Sequence, residues 1–151
     1  MRWPNDILVG DRKLAGLLID QFAPGLAVVG LGLNVSNRPE ECDSALRGQV
    51  ARLEELATPT PTLAELTHRV LAGLEEVSGV LERLGPEALL PRINALWPTP
   101  QPVELDLDGQ VITGDFEGID SAGRLKLRSP AHEIVLYEPH QVRLLRETLN
   151  S

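Results

Sequence analysis

Apolar residues in the first 35 positions gather in three short runs, and these runs predict three β-strands. The runs cover residues 7–9, 13–22 and 26–35, and the glycine-containing breaks between them are typical of strands joined by tight turns. Gly10 and Asp11 separate the first two runs and favour a hairpin. Because the third run is almost continuously apolar, we expect a strand that is buried on both faces.

The pattern then changes to a loop and a long amphipathic helix. Residues 36–61 are polar and contain several prolines, which indicates a loop with one short helix around residues 44–56. Thr62 and Glu65 have the spacing of a capping box, so a helix should begin at Thr62. Apolar residues then recur at helical spacing along one stripe, formed by Leu63, Leu66, Val70, Leu74, Val77, Leu81 and Leu84.

Glycine and proline mark the end of this helix and the next boundary in the chain. Gly85 and Pro86 should end the long helix, and Pro86 should begin a second helix that extends to about Leu96. Residues 98–102 then form a proline-dense segment, which is stiff and favours a linker between domains.

Five short alternating runs follow the linker and predict a small antiparallel β-barrel. Turn signals stand at Asp108–Gly109 and Ala122–Gly123. The runs cover residues 103–107, 111–116, 124–128, 133–137 and 142–145. The sequence therefore predicts one domain over residues 1–97 and a small barrel over residues 103–147.

Composition and charge narrow the class of protein. The chain has 151 residues, 42% of them hydrophobic, and a net charge of −8, which argues against nucleic acid as a partner. No apolar run approaches the roughly 20 residues of a membrane-spanning helix. Cys42 has no second cysteine to pair with, and we interpret it as an incidental thiol of a cytoplasmic protein. His68 has no second ligand at metal spacing and is predicted to lie at the surface.

Three short segments in the first 35 residues carry the candidate chemistry. Asn5 and Asp6 offer an amide and a carboxylate just before a strand, and Lys13 offers a cation close to a turn. Gly30 and Gly32 lie on one face of their strand, where they could form a flat floor for a ligand. The segments are RWPND at residues 2–6, RKLAGL at residues 12–17 and VGLGLNV at residues 29–35.

Each segment taken alone also has an ordinary structural interpretation. WPND can be a turn, glycines in strands more often mark β-bulges, and Arg12 with Lys13 can be a solvated basic pair. Asn34 could cap a loop. The glycine pattern is not a dinucleotide fingerprint, because no third glycine opens a helix. The order and spacing of the three segments together carry more weight than any one of them.

In that order and at about that spacing, the segments resemble the WPND, KxAG(I/L) and GxGxN motifs in the catalytic core of biotin protein ligases. Residues 117–125, EGIDSAGRL, also resemble the GID..G.L pattern of the C-terminal barrel in that family. The resemblance implies an α/β (α+β) fold. Its first part would be a partial mixed sheet with helices, of the biotin/lipoate ligase type, and a small antiparallel β-barrel would follow.

The resemblance also assigns candidate roles to individual residues. Lys13 would contact the carboxylate of biotin and the reacting phosphate, and Asn34 would contact adenine. Asn5 and Asp6 would lie near the phosphates, Mg²⁺ and the incoming acceptor lysine, with Asp6 as the metal or proton-handling carboxylate, so that Lys13, Asp6 and Asn5 are the catalytic candidates. The biotin pocket would be lined by Lys13, Gly16, Leu17, Gly30, Leu31 and Gly32.

The chain departs from the family pattern at three places. Arg2 stands where a lysine usually precedes the tryptophan. The usual V-x-L-R ending is shifted by one position, which leaves Arg143 and Arg146 as rival candidates for a contact with ATP. A GRGRxGR-like loop, which the family carries before WPND, is not among these residues. We therefore expect the C-terminal part of a ligase, inactive alone, as a fragment, a mis-started gene model or a remnant.

The activity implied by the resemblance is ATP-dependent biotinylation through biotinyl-5′-AMP, with ATP, Mg²⁺ and biotin as reactants. The acceptor would be a lysine of the biotin carboxyl carrier protein or domain of a carboxylase. Three alternatives stay open: a lipoate-protein ligase relative, a binding or assembly module that forms a homodimer or associates through an open sheet, and a chain without autonomous function.

Overall fold

The computed structural model describes residues 1–97 and 99–147. It has the expected α+β fold, with antiparallel sheets and helices. The chain divides into two compact units, Met1–Val70 and Leu71–Ser151, and each unit is described by itself below.

The first unit is built on a three-stranded antiparallel sheet in the order β1-β2-β3. The three predicted strands are confirmed, and Gly10 takes a positive φ of 57° in the turn between the first two. Since β2 pairs along both of its edges, it is the central strand. The strands are β1 (Asp6–Val9), β2 (Arg12–Ala23) and β3 (Leu26–Leu33).

The expectation that the third strand is buried on both faces is wrong. Val28 and Val29 point to opposite faces of β3, and they are 55% and 37% exposed. A continuous apolar run shows that both faces of a strand can pack against apolar side chains. Those side chains have to come from other elements of the structure. Within the described residues, both faces of β3 retain exposed apolar side chains.

The loop after β3 contains short 3-10 turns in place of the predicted helix around residues 44–56. These turns are Pro39–Glu41, Ser44–Leu46 and Leu53–Glu55. Arg52 binds both Glu40 and Glu55, the latter at 3.0 Å. The bond to Glu40 raises the pKa of Arg52, and a backbone hydrogen bond together with Arg52 lowers the pKa of Glu40. The backbone N–H groups of Ala51, Leu53 and Glu54 donate to Lys13 O, Asn34 O and Val35 O, so they do not make the i→i−4 bonds of a continuous helix.

The long helix α1 (Leu63–Leu84) begins as predicted. Thr62 N donates to Glu65 Oε2 at 2.8 Å and Glu65 N donates to Thr62 Oγ1 at 3.3 Å, which confirms the capping box. The apolar stripe of α1 contains no fully buried residue. His68 is exposed, as expected. No helix among the described residues combines the length and apolar character required to cross a bilayer.

The second helix is shorter than predicted. Gly85, with a φ of 77°, ends α1. A 3-10 turn over Pro86–Ala88 and a short helix, α2 (Leu90–Asn94), then replace the single helix expected over residues 86–96.

The second unit carries a five-stranded antiparallel sheet in the order β7-β6-β5-β4-β8, consistent with the predicted small barrel. Pro98 of the predicted linker lies outside the described residues. Gln101 and Pro102 belong to β4, so the strand begins two residues earlier than expected, while the domain limits stay a prediction. The strands are β4 (Gln101–Leu107), β5 (Gln110–Ile119), β6 (Leu125–Arg128), β7 (Ile134–Tyr137) and β8 (Leu144–Glu147).

Alternating residues of these strands form the core of the second unit. Trp97 packs edge-on against Phe116, with ring centroids 5.2 Å apart. The side chains most deeply buried in this core are Val103, Leu105, Phe116, Leu125 and Leu127. Inward and outward residues alternate in β4 and β6, as their short apolar runs predict, whereas the three apolar residues Ile134, Val135 and Leu136 of β7 are all exposed.

The GID pattern has a structural explanation in this unit. Asn94 Oδ1 accepts a hydrogen bond from Ile119 N at 2.8 Å, and Asn94 Nδ2 donates to Ile119 O at 3.2 Å. The preceding Gly118 has a φ of 96°, and a Cβ there would lie 2.5 Å from Asn94 Oδ1. Only glycine at position 118 leaves room for the Asn94 amide to bond both the N–H and the C=O of Ile119.

The aspartate of the same pattern closes the next turn. Asp120 Oδ1 accepts from Ala122 N at 3.0 Å and from Arg124 N at 2.9 Å. Arg124 Nε donates to Asp120 Oδ2 at 2.7 Å, and this hydrogen bond is the largest cause of a lowered pKa of the Asp120 carboxyl. The family-like segment is therefore a turn built by its own side chains.

Replacing Gly118 by alanine should destabilise the second unit more than the same change at Gly109. Gly109 has a similar φ of 92°, but a Cβ there meets nothing within 4 Å. Gly109→Ala should cost about 1 kcal/mol for its backbone conformation alone, whereas the clash with Asn94 should bring Gly118→Ala to about 2–3 kcal/mol. Urea unfolding measures both. Equal losses would show that the contact with Asn94 does not constrain this position.

Candidate functional site

A row of residues across the first sheet forms a flat floor with little side-chain relief. Asp6 pairs with Gly16, and Gly16 pairs with Gly32 on the other side. Leu18 pairs with Gly30 in the next row of the same face. Since paired residues of antiparallel strands share a face, the two glycines of β3 and Gly16 together open a space above the sheet.

The packing of the sheet does not require glycine at these positions of β3. A Cβ at Gly30 would lie 3.8 Å from Leu18 O, and a Cβ at Gly32 would lie 3.9 Å from Gly16 O. Both distances are ordinary van der Waals contacts, and neither glycine has a positive φ. Within the described part of the chain, a methyl group would fit at either position, so packing among the described residues does not explain the two glycines.

A β-bulge places Lys13 on this same face. Ile7 pairs with Ala15, but Leu8 pairs with Lys13, so Leu14 is an extra residue on β2. Strict alternation would put residues 13 and 16 on opposite faces. The extra residue reverses the phase, and bulges commonly re-aim a side chain in this way.

The side chain of Lys13 extends over Gly16 and forms an ion pair with Asp6. Lys13 Nζ lies 2.5 Å from Asp6 Oδ1, with the two side chains 49% and 21% exposed. A Cβ at Gly16 would lie 3.2 Å from Lys13 Nζ. The lysine thus holds a cation above the floor, with a carboxylate beside it.

The backbone of Lys13 is fixed by a segment that the sequence did not single out. Lys13 N donates to Gln49 O at 2.8 Å, and Ala51 N donates to Lys13 O at 3.0 Å. Arg12 binds Glu55 at 2.7 Å in the same region. No local pattern marks residues 49–55 as partners of β2, because about 40 residues separate the two segments.

Two asparagine side chains flank the floor. Asn5 Nδ2 donates to Leu17 O at 2.8 Å, and Leu17 N donates to Asn5 O at 2.9 Å. Asn34 Nδ2 donates to Lys13 O at 3.2 Å. The asparagines of the WPND and GxGxN segments are therefore both bonded to the strand that carries Lys13.

These groups line one open cleft of about 790 Å³. Alternation directs the side chains of Leu17 and Leu31 away from the floor, so these two contribute mainly backbone. The predicted site residues that line the cleft are Asn5, Lys13, Gly16, Leu17, Gly30, Leu31, Gly32 and Asn34, and Asp6 adjoins them through Lys13. Sequence reasoning missed Ala15, Leu18, Leu33 and Asn37, which also line it.

The two arginines proposed for ATP belong to the second unit. Both are exposed. Arg143 N donates to Asp106 O at 2.8 Å, and Arg146 pairs with Glu104 between β8 and β4. The contact of either arginine with a nucleotide stays a prediction.

The described residues contain no ready-made cluster of metal ligands. No group of three or more His, Cys, Asp or Glu side chains gathers among them in a way that could hold an ion. Mg²⁺ requires fewer protein ligands than such a cluster, since it is commonly held by one or two carboxylates together with substrate phosphates and water. Asp6, a single carboxylate beside the cleft, fits that requirement.

Comparison with known proteins gives consistent matches. Residues 101–138 match the family model described as the biotin protein ligase C terminal domain. The biotin--acetyl-CoA-carboxylase ligase of Mycobacterium tuberculosis is 30% identical over 137 residues, which cover 90% of this chain and 50% of that protein. The bifunctional ligase/repressor BirA of Salmonella typhimurium is 31% identical over 134 residues, covering 84% of this chain and 41% of BirA.

Solved structures share the fold. The apo biotin protein ligase of Aquifex aeolicus matches 98% of this chain and 65% of its own, with a TM-score of 0.79 and 22% identity. The complex of that ligase with biotin and ATP matches with a TM-score of 0.78 and 22% identity, over 98% of this chain and 62% of its own. The chain spans about half the length of the M. tuberculosis protein and less of BirA.

If the floor is kept flat for a ligand, Gly32→Ala should leave the stability nearly unchanged, within about 1 kcal/mol. Gly114→Ala is the matched control in another strand, because its Cβ would lie 2.5 Å from Arg128 O. The control should lose clearly more stability in the same thermal or urea unfolding experiment. A loss at Gly32 as large as at Gly114 would mean that Gly32 serves packing.

Proposed function

Because this chain belongs to the biotin protein ligase family, we propose that it is the C-terminal portion of an ATP-dependent ligase. The ligase would attach biotin to a lysine of a carrier protein through biotinyl-5′-AMP. One observation supports this most strongly: the bulge at Leu14 brings Lys13 over Gly16, beside Gly32 in the same row of the floor, while Asn34 bonds the carbonyl of the same lysine.

In the first step, a carboxylate oxygen of biotin attacks the α-phosphorus of ATP and pyrophosphate leaves. Negative charge shifts among the oxygens around phosphorus, and a fixed cation stabilises it. Lys13 provides that cation. Its backbone is bonded on both sides, and its ammonium group is held over Gly16 by the ion pair with Asp6. The flat floor allows a planar ring system to approach the sheet backbone closely, and Asn34 offers its amide to the purine.

In the second step, the amine of the acceptor lysine attacks the carbonyl carbon of the mixed anhydride. The bond between that carbon and the phosphate oxygen breaks, AMP leaves, and the amine gives up a proton. Asp6 can accept the proton that the attacking nitrogen gives up as the amide bond forms. Its ion pair with Lys13 shows that this carboxylate accepts an alkylammonium group at 2.5 Å.

Mg²⁺, when bound, would neutralise charge on the phosphates, and Asp6 is the residue that would hold it. Asn5 lies next to Asp6 in the chain, and its amide is held by Leu17 O. Asn5 would therefore act from a fixed position toward the phosphates.

The partner and compartment follow from the proposed activity. We expect the acceptor to be the biotin carboxyl carrier protein or domain of a carboxylase, and we place the ligase in the cytoplasm. The lone exposed Cys42 fits a reducing compartment. A lipoate-protein ligase would use a similar fold, but the WPND segment and the barrel favour biotin.

A second candidate function is supported by the open sheet. Leu26, Val28 and Val29 of the edge strand β3 are exposed, and such an edge readily pairs with another strand. We therefore also consider an assembly role, through a homodimer or through a partner chain.

Lys13→Ala should abolish adenylation without unfolding the protein. A suitable protein is a chimera that joins this chain to the part of the M. tuberculosis ligase that the match leaves uncovered. Biotinyl-5′-AMP formation from biotin and MgATP should fall at least about 100-fold, because Lys13 is the only cationic side chain that lines the cleft among the described residues. Pyrophosphate release measures the rate.

The matched control is Lys126→Ala, which removes the other lysine of the sequence. It should keep the rate and the melting temperature of the parent chimera. Normal adenylation by Lys13→Ala would exclude Lys13 from the reaction, and no biotinyl-5′-AMP from the parent chimera would count against the ligase assignment.

The assembly function predicts self-association of the 151-residue chain at micromolar concentration. Val28→Lys places a charge on the exposed strand β3 and should shift the chain toward monomer, whereas Leu63→Lys, on the exposed start of α1, should not. Sedimentation velocity distinguishes the species. A stable monomer of the unmodified chain would contradict assembly through β3.

A further inference from the structure

Two neighbouring amides at the end of β3 orient each other. Val35 N donates to Asn37 Oδ1 at 3.1 Å, and Asn37 Nδ2 donates to Asn34 Oδ1 at 2.8 Å. Asn34 Nδ2 in turn donates to Lys13 O at 3.2 Å. The three bonds form one continuous chain of donors and acceptors from Val35 to Lys13.

Neither amide can turn over without losing bonds. A backbone N–H only donates, so Val35 requires the oxygen of Asn37. The nitrogen of Asn37 then faces the oxygen of Asn34. The carbonyl of Lys13 only accepts, which requires the nitrogen of Asn34 at the other end. Both ends of this run of hydrogen bonds, Val35 N–H and Lys13 C=O, therefore require the same orientation of the Asn34 amide.

The backbone of Asn34 is also fixed. Its N–H donates to Leu14 O at 2.9 Å, and its C=O accepts from Leu53 N at 2.9 Å. Asn34 and Asn37 both line the cleft. The side chain of Asn34 therefore has a defined position as well as a defined orientation.

Asn34 keeps one free hydrogen on Nδ2 and one free lone pair on Oδ1 after these bonds. Adenine presents a donor, its 6-amino group, beside an acceptor ring nitrogen, and an asparagine amide pairs with both at once. A 6-oxopurine presents an acceptor where adenine has the donor. Its oxygen would face Oδ1 of Asn34, and turning the amide would break both internal bonds.

We propose that Asn37 is a positioning residue that locks the amide of Asn34 so that the cleft selects adenine nucleotides over 6-oxopurine nucleotides. The proposal rests on the proposed function, since it takes Asn34 as the residue that meets the purine. It assigns to Asn37 a role in base selection. Asn37 lies outside the GxGxN segment, so the resemblance of that segment to the family gives Asn37 no role.

The test compares the binding of ATP and ITP, which share the triphosphate and differ at position 6 of the base. The 151-residue chain, labelled with ¹⁵N, is titrated with each nucleotide, and the side-chain amide signals of Asn34 report the dissociation constants. The variants are Asn37→Ala and Asn37→Asp. Arg38→Ala is the control, because Arg38 is exposed and does not line the cleft.

The unmodified chain should prefer ATP over ITP. Asn37→Ala should reduce that preference roughly five- to tenfold, the worth of about one net hydrogen bond. Asn37→Asp should reduce it further, because its second carboxylate oxygen faces Oδ1 of Asn34 and favours the turned amide. A residue that only supports the loop would weaken both nucleotides equally and leave the ratio unchanged.

The outcomes distinguish the positioning role of Asn37 from the nucleotide site on which it rests. If the unmodified chain prefers ATP and both Asn37 variants keep the same ratio as Arg38→Ala, the positioning role is wrong while the nucleotide site stands. Equal binding of ATP and ITP by the unmodified chain also overturns the role of Asn37. Binding of neither nucleotide overturns the role of Asn37, and the proposed function is then judged separately by adenylation in the chimera.

Discussion

The β-bulge at Leu14 is the constraint on which the candidate site depends. The extra residue turns Lys13 toward the face that holds Asp6 and Gly16, and the carbonyl of Lys13 then accepts bonds from Ala51 N and Asn34 Nδ2. The positions of the Lys13 ammonium group, the Asn34 amide and the loop after β3 thus all depend on one peptide group. A shift of that peptide group would move all three together.

Features set by residues close together in the chain were predictable from the sequence. The hairpin at Gly10, the capping box at Thr62 and the turn at Asp108–Gly109 all appear as expected. The alternation of β4 and β6 also follows the sequence, since residues that point into a core are apolar. In each case the relevant interactions lie within a few residues, where sequence patterns carry the information.

Features set by distant parts of the chain could not be predicted in this way. Burial of β3 was overestimated, because a hydrophobic pattern shows which surface suits a cover and does not supply the cover. Backbone bonds from Ala51, Leu53 and Glu54 to the distant residues Lys13, Asn34 and Val35 replaced an expected helix. The phase reversal that aims Lys13 depends on the register between β1 and β2. Candidate site residues were found through motif resemblance, and only the structure showed that most of them line one cleft.

The glycines of this chain separate architecture from a candidate function. At Gly118 an added Cβ would lie 2.5 Å from Asn94, and at Gly114 it would lie 2.5 Å from Arg128 O, so the fold itself demands glycine there. At Gly30 and Gly32 the nearest atoms would be 3.8 and 3.9 Å away, and the backbone is extended. Glycine weakens a strand by roughly 0.5–1 kcal/mol relative to alanine. Gly30 and Gly32 therefore carry this cost without a packing reason among the described residues, on the same face as a lysine whose direction is set by a bulge.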